Sequence, residues 1–99
     1  MNKTELTKQL KKQTGVGISK FDLHDLLVWA SDSKDNRIYG FYYGINWGLK
    51  TQRFSNNAES AMEKMTPAKL VEFMVDVILN CENNQQAVVN YVNAKFRTH

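Results

Sequence analysis

Arg37-Ile38-Tyr39-Gly40-Phe41-Tyr42-Tyr43-Gly44-Ile45-Asn46-Trp47-Gly48-Leu49-Lys50-Thr51-Gln52-Arg53-Phe54 decides what kind of domain this chain makes, because it reads in two incompatible ways. Gly40, Gly44 and Gly48 recur every four residues, which on a helix lines them along one face and lets another helix approach closely. Tyr39, Phe41, Tyr43, Ile45, Trp47 and Leu49 also alternate with period two, as a strand requires. Aromatic residues favour strands, and an interior glycine costs a helix roughly 1 kcal/mol relative to alanine. The segment is nevertheless longer than the usual strand of about five or six residues and has no clean two-residue hairpin turn. Its neighbours on both sides read as helices. The expectation is a helix, with a β-hairpin at 37–54 as the alternative.

Downstream, Asn56 or Asn57 can cap a short helix carrying Ala58, Ala61, Met62 and Met65. The most apolar segment follows at 66–82. Thr66 supplies a cap and Pro67 occupies the first helical position, where its missing N–H is harmless. Leu70, Phe73, Met74, Val77, Ile78 and Cys81 recur along one helical face, with Val71, Val75 and Leu79 as a second apolar row. Only Lys69, Glu72, Asp76 and Asn80 are left for water. Asn83 and Asn84 then break the chain, and a last helix from Gln85 to about Phe96 offers Val88, Tyr91, Val92 and Phe96, with Ala87 alongside.

Upstream, Thr4–Thr14 reads as a helix with Leu6 and Leu10 on its apolar stripe, stopped by Gly15 and Gly17. Ser19 opens another, with Asp22 three residues on as an imperfect capping box. Its inward face is Leu23, Leu26, Leu27 and Ala30, flanked by Phe21 and Trp29, before a polar turn over 31–36. The sequence therefore predicts one compact, mainly α domain over 1–99. It is a small bundle of four or five short helices around a central apolar helix, 66–82.

Ninety-nine residues with 42% hydrophobic side chains suffice for one core. The single cysteine, Cys81, forms no internal disulfide and suits a reducing cytoplasm. No apolar run reaches the roughly 20 residues needed to span a bilayer, and the Lys-rich start lacks the hydrophobic segment of a secretory signal. A cytoplasmic protein without membrane association is expected. Its net charge of +3 is distributed in blocks. Residues 1–20 carry five lysines against Glu5, 21–36 four aspartates against Lys34, and 37–54 three cations and no acid. Such alternation is common in solvated helical proteins, and it permits segments 1–20 and 37–54 to share a basic patch.

Catalytic and metal motifs are missing from the sequence. His24 adjoins Asp25, but consecutive helical residues diverge, so they make no oriented acid–base pair. His99 is the other histidine. Cys81 falls on the most apolar face, the reverse of what an activated thiolate needs. One cysteine and two histidines in unrelated places match no metal-ligand spacing, and the glycines fit neither a P-loop nor a dinucleotide fingerprint. The expectation is no enzyme activity, no cofactor and no metal.

Two short resemblances concern nucleic acid. Met1-Asn2-Lys3-Thr4-Glu5-Leu6 with Thr14-Gly15 resembles the opening of the bacterial histone-like HU proteins, where it begins a helix–turn–helix unit for dimerisation. The likeness covers about the first sixth of the chain. The Arg/Lys-rich, Pro-tipped β-arm with which that family grips the minor groove has no counterpart here, so its function is not carried over. Arg37-Ile38-Tyr39-Gly40-Phe41 is similar to the basic–x–aromatic–Gly–aromatic part of an RNA-recognition strand. There too the pattern departs, at Ile38, Tyr42 and Gly44. A helix–turn–helix over 4–30 would present Asp22 and Asp25 to phosphates, which repels.

The remaining expectation is a small intracellular binding protein, of a bacterial or phage type by its Lys- and Asn-rich usage. It works as a regulator, adaptor or inhibitor through contact with an unidentified protein partner. Tyr, Trp and Arg are the residue types enriched at interaction hot spots, which selects Tyr42, Trp47 and Arg53 as anchors. Alanine at Trp47 is expected to weaken binding without unfolding. The glycine row admits a partner helix, in a homodimer or on a target, or packs on the chain's own core helix. The alternative is a sequence-tolerant nucleic-acid binder using Lys8, Lys11, Lys12, Lys20, Arg37, Lys50 and Arg53.

Overall fold

The ambiguous segment is a helix. In a computed structural model that describes Lys8, residues 22–82 and residues 84–97, Asn36–Lys50 forms one uninterrupted α-helix. The alternating aromatics do not share a side, as a strand would require. Phe41 and Ile45 are buried, whereas Tyr39 and Tyr43, from the same alternating set, are exposed. Ile38, Phe41, Gly44, Ile45 and Gly48 form the buried face, at helical spacing. The hairpin at 37–54 is therefore replaced by a helix, and the described residues include no strand.

Five α-helices run in order through the described residues: α1 Leu23–Ser31, α2 Asn36–Lys50, α3 Asn56–Glu63, α4 Pro67–Cys81 and α5 Gln85–Lys95. The expected helix over Thr4–Thr14, its glycine stop, Ser19 and Phe21 lie outside the described residues apart from Lys8, which is helical and exposed.

Each helix begins at a side-chain cap. Asp22 and Asp25 form a reciprocal capping box at α1, one turn beyond the expected Ser19–Asp22 pair. Asp35 accepts from the Arg37 N–H at 2.9 Å, and Ser55, rather than Asn56 or Asn57, accepts from Ala58 N–H at 3.1 Å. Thr66 caps α4 with Pro67 in its first turn, as the sequence predicts. Asn84 accepts from Ala87 N–H at the start of α5.

The core holds Leu26, Leu27 and Ala30 from α1 and the apolar rows of α4, joined by Val88, Val89 and Val92 from α5. Leu79 departs from its expected row and stands 46% exposed. Phe41, Phe73 and Phe96 run through the packing as edge-on and tilted contacts, with centroids 5.9 and 6.1 Å apart. Helix α4 is the most deeply buried element, but α2 is the hub: it packs against α1, α4 and α5.

The glycine row explains that centrality. A Cβ at Gly44 would stand 2.7 Å from Val88 Cγ2, and one at Gly48 would collide with the Phe54 ring and lie 2.9 Å from Val89 Cγ2. Two glycines thus let α5 settle directly onto α2. Gly44 and Gly48 are thus covered within the chain, by α5 and Phe54 rather than by the apolar helix α4, whereas Gly40 is half-buried and borders a hollow beside Tyr39 and Tyr43.

Candidate functional site

The opposite side of α2 carries the exposed aromatics. Tyr39, Tyr43, Asn46 and Lys50 follow the i, i+4, i+7, i+11 spacing of one helical stripe. Tyr39 and Tyr43 are 45% and 47% exposed. Tyr42 is half-buried beside them, its ring tilted against that of Tyr39 at 5.6 Å. Tyr39, Tyr42, Tyr43, Asn46, Trp47 and Lys50 line a shallow hollow of about 300 Å³.

At its lower end the hollow is shaped by the way α2 terminates. Gln52 takes the left-handed conformation (φ 57°). Its N–H donates to Leu49 O at 3.3 Å, and the N–H of Arg53 donates to Gly48 O at 2.9 Å. These are the two bonds of a Schellman motif. The turn sends Arg53 back along the helix it has just left, and its guanidinium carbon stands 4.7 Å over the centre of the Trp47 ring, a cation–π contact. Asn93 of α5 secures the loop, donating to Arg53 O and accepting from Ser55 N–H.

Of the anchors expected from sequence, Trp47 and Arg53 are in contact and Tyr42 borders the same hollow. Trp47 is half-buried and also packs on the core, so it is not a purely external residue. Tyr39 and Tyr43, outside the expected anchors although of the same residue type as Tyr42, are the more exposed rings. Their one-turn spacing on the stripe of Asn46 and Lys50 was the available signal.

The basic residues do not all meet here. Lys50 and Arg53 are exposed beside the aromatics, while Lys11, Lys12 and Lys20 lie outside the described residues. Arg37 sits thirteen residues before Lys50, about 20 Å away along α2 and about 140° round it. There it holds Asp35 through Nε and Nη2, at 3.1 and 2.7 Å. These bonds hold the Asp35 carboxyl below its ordinary pKa and raise that of the guanidinium.

Other reactive side chains are occupied by structure. Cys81 is buried, its thiol donating to Ala87 O at 3.7 Å, and burial, aided by the Asp76 charge, pushes its pKa up. A thiol in that condition is a poor nucleophile. Asp76 accepts from Tyr91 Oη at 2.8 Å and Lys95 Nζ at 2.9 Å, joining α4 to α5. Burial, followed by this bond to Asp76, raises the Tyr91 pKa to about 12. His24 is exposed on α1. Among the described residues no group of three or more His, Cys, Asp or Glu gathers to hold a metal, and no helix is long and apolar enough to cross a membrane.

Comparison of the chain with protein-family models, curated proteins and solved structures finds no match in any of the three.

Proposed function

We propose that this chain is a non-enzymatic protein-binding module, a regulator, adaptor or inhibitor, which engages its partner with the outer side of α2. The exposed tyrosine pair carries this reading: Tyr39 and Tyr43 hold two large rings in water one helical turn apart, on a hollow that Trp47 also lines, and Arg53 stands over the Trp47 ring. Tyr, Trp and Arg concentrate binding energy because they cover much area at a small loss of conformational freedom. Two further features support it. The rings stand on a helix fixed to three neighbours, so little ordering accompanies binding. Gly44 and Gly48 are covered by α5 and Phe54, which leaves the tyrosine side of α2, with Gly40 at its border, available to a partner.

A photoreactive phenylalanine analogue in place of Tyr43 tests the proposal in cells that make the protein. The same residue in place of Val28, exposed on α1, is the control. A protein adduct formed from position 43 and not from position 28 is expected. Equal labelling from both positions would contradict it.

Nucleic acid is the competing ligand, since Lys50 and Arg53 beside Trp47 combine a ring with two cations. Arg37, on another side of the helix and engaged with Asp35, adds nothing to that surface, and two cations make a sparse phosphate track. Titration with single- and double-stranded DNA and RNA at low and near-physiological salt separates the readings. Micromolar binding that survives moderate salt would favour nucleic acid.

A further inference from the structure

Resting on the reading of α2 as a protein-binding face, we infer that its partner is an acidic segment: an apolar residue packs against Tyr39 and Tyr43, and a carboxylate reaches Lys50 and Arg53. Charge complementarity carries the choice. Two adjoining hollows share the Tyr39–Tyr43 ridge, and neither is lined by an aspartate or glutamate among the described residues. Lys50 borders one of them and Arg53 is held over the Trp47 ring beside it. Asp35, the acid at the N-terminal end of α2, is engaged by Arg37. The face is therefore aromatic at one end and cationic at the other.

Its dimensions set a spacing for the occupant. Tyr43 and Lys50 are seven residues apart, about 10 Å along the helix axis. An apolar residue and a carboxylate span that distance when seven apart on a helix or three apart in an extended chain. The Trp47 ring already restrains the Arg53 guanidinium, so a carboxylate meets it at a reduced cost in side-chain entropy.

The test is fluorescence anisotropy with three labelled probes: a short synthetic peptide of Asp, Glu, Leu and Phe at this spacing, its counterpart with lysine for every acid, and single-stranded oligothymidylate. The acidic peptide is expected to bind best and to weaken as salt is raised. Reversing charge with Lys50→Glu and Arg53→Glu together should weaken it about tenfold or more, whereas Lys64→Glu, at an exposed site ending α3, should not. Circular dichroism of the charge-reversed protein checks that its helices persist. Absent or equal binding of the two peptides, indifference to charge reversal, or tighter binding of oligothymidylate would each overturn the inference. So would sedimentation showing that the unliganded protein pairs through this face. Crosslinking from position 43 without acidic-peptide binding would discard the charge preference and keep the face; loss of both would discard the face itself.

Discussion

Asn93 holds Arg53 by its backbone from forty positions further along the chain: its Nδ2 donates to the Arg53 carbonyl at 2.9 Å. Its Oδ1 accepts from the Ser55 N–H, so one amide fixes both sides of the loop that returns Arg53 to Trp47. Asn93→Ala removes both bonds at a solvent-accessible site, where water partly replaces them. A loss of about 1 kcal/mol is expected in urea unfolding, with a larger relative effect on partner binding than on stability. A binding constant that is unchanged by the mutation would show that the loop holds Arg53 without this bridge.

Gly44→Ala tests the close approach of α5. Alanine is the better helix former, yet its Cβ would crowd three carbons of Val88. The expected balance is a destabilisation of about 1–3 kcal/mol, read as a lower midpoint in thermal and urea unfolding. An unchanged or raised midpoint would mean that α5 shifts outward at little cost.

Gln52 offers a change in the opposite direction. A non-glycine residue at φ 57° is held in a conformation that its Cβ disfavours. Gln52→Gly should stabilise the domain by roughly 0.5–1 kcal/mol while preserving the Schellman turn. Retention of the Trp47–Arg53 contact is checked by tryptophan fluorescence. A stability loss would indicate that the Gln52 side chain makes a contribution larger than its backbone cost.

Trp47 and Tyr43 separate folding from binding. Trp47 supports the core as well as Arg53, so Trp47→Ala is expected to lower stability by about 1–3 kcal/mol and to weaken partner capture. Tyr43 is nearly half exposed, and Tyr43→Ala should leave stability within about 0.5 kcal/mol while still weakening capture. Equal unfolding midpoints for the two variants would remove Trp47 from the core.

Alkaline titration reports on the tie between α4 and α5. Folding raises the Tyr91 pKa from 10.0 to about 12 through burial and its bond to Asp76, so the folded chain keeps a proton that the unfolded chain has released. The associated stability is complete below pH 10 and is lost as pH climbs from 10 toward 12. On the order of 1 kcal/mol should disappear over that window once solvent screening of the partly exposed hydroxyl is allowed for. Tyr91→Phe should flatten the stability profile there, and a persisting slope would assign it to another group.

Local signals carried much of the fold. Thr66-Pro67 marked the start of α4, and the periodicity of 70–81 identified its buried face, because caps and amphipathic spacing are written within a few residues. The segment at 37–54 resisted such reading because its aromatics fit two periods. Only tertiary burial, which takes Phe41 and Ile45 inside and leaves Tyr39 and Tyr43 outside, separates them. The glycine row announced a close helix contact but not its partner: the apolar helix 66–82 was the candidate within the chain, and α5, with Phe54, covers Gly44 and Gly48 instead. At the site, residue type points to Tyr42, Trp47 and Arg53 but cannot rank three tyrosines against one another, and Tyr39 and Tyr43 stand out only once it is known which side of α2 the bundle covers.

The pairing of α2 with α5 also sets an order of events during synthesis. Helix α2 leaves the ribosome well before Val88 and Val89, and α3 and α4 are made in between. Until then Gly44 and Gly48 lie against no valine, and the nascent chain carries an open seam between two helices far apart in sequence. Closure of the bundle is therefore a late, long-range step, and an arrested chain lacking α5 would expose the seam to chaperones or to other unfinished chains.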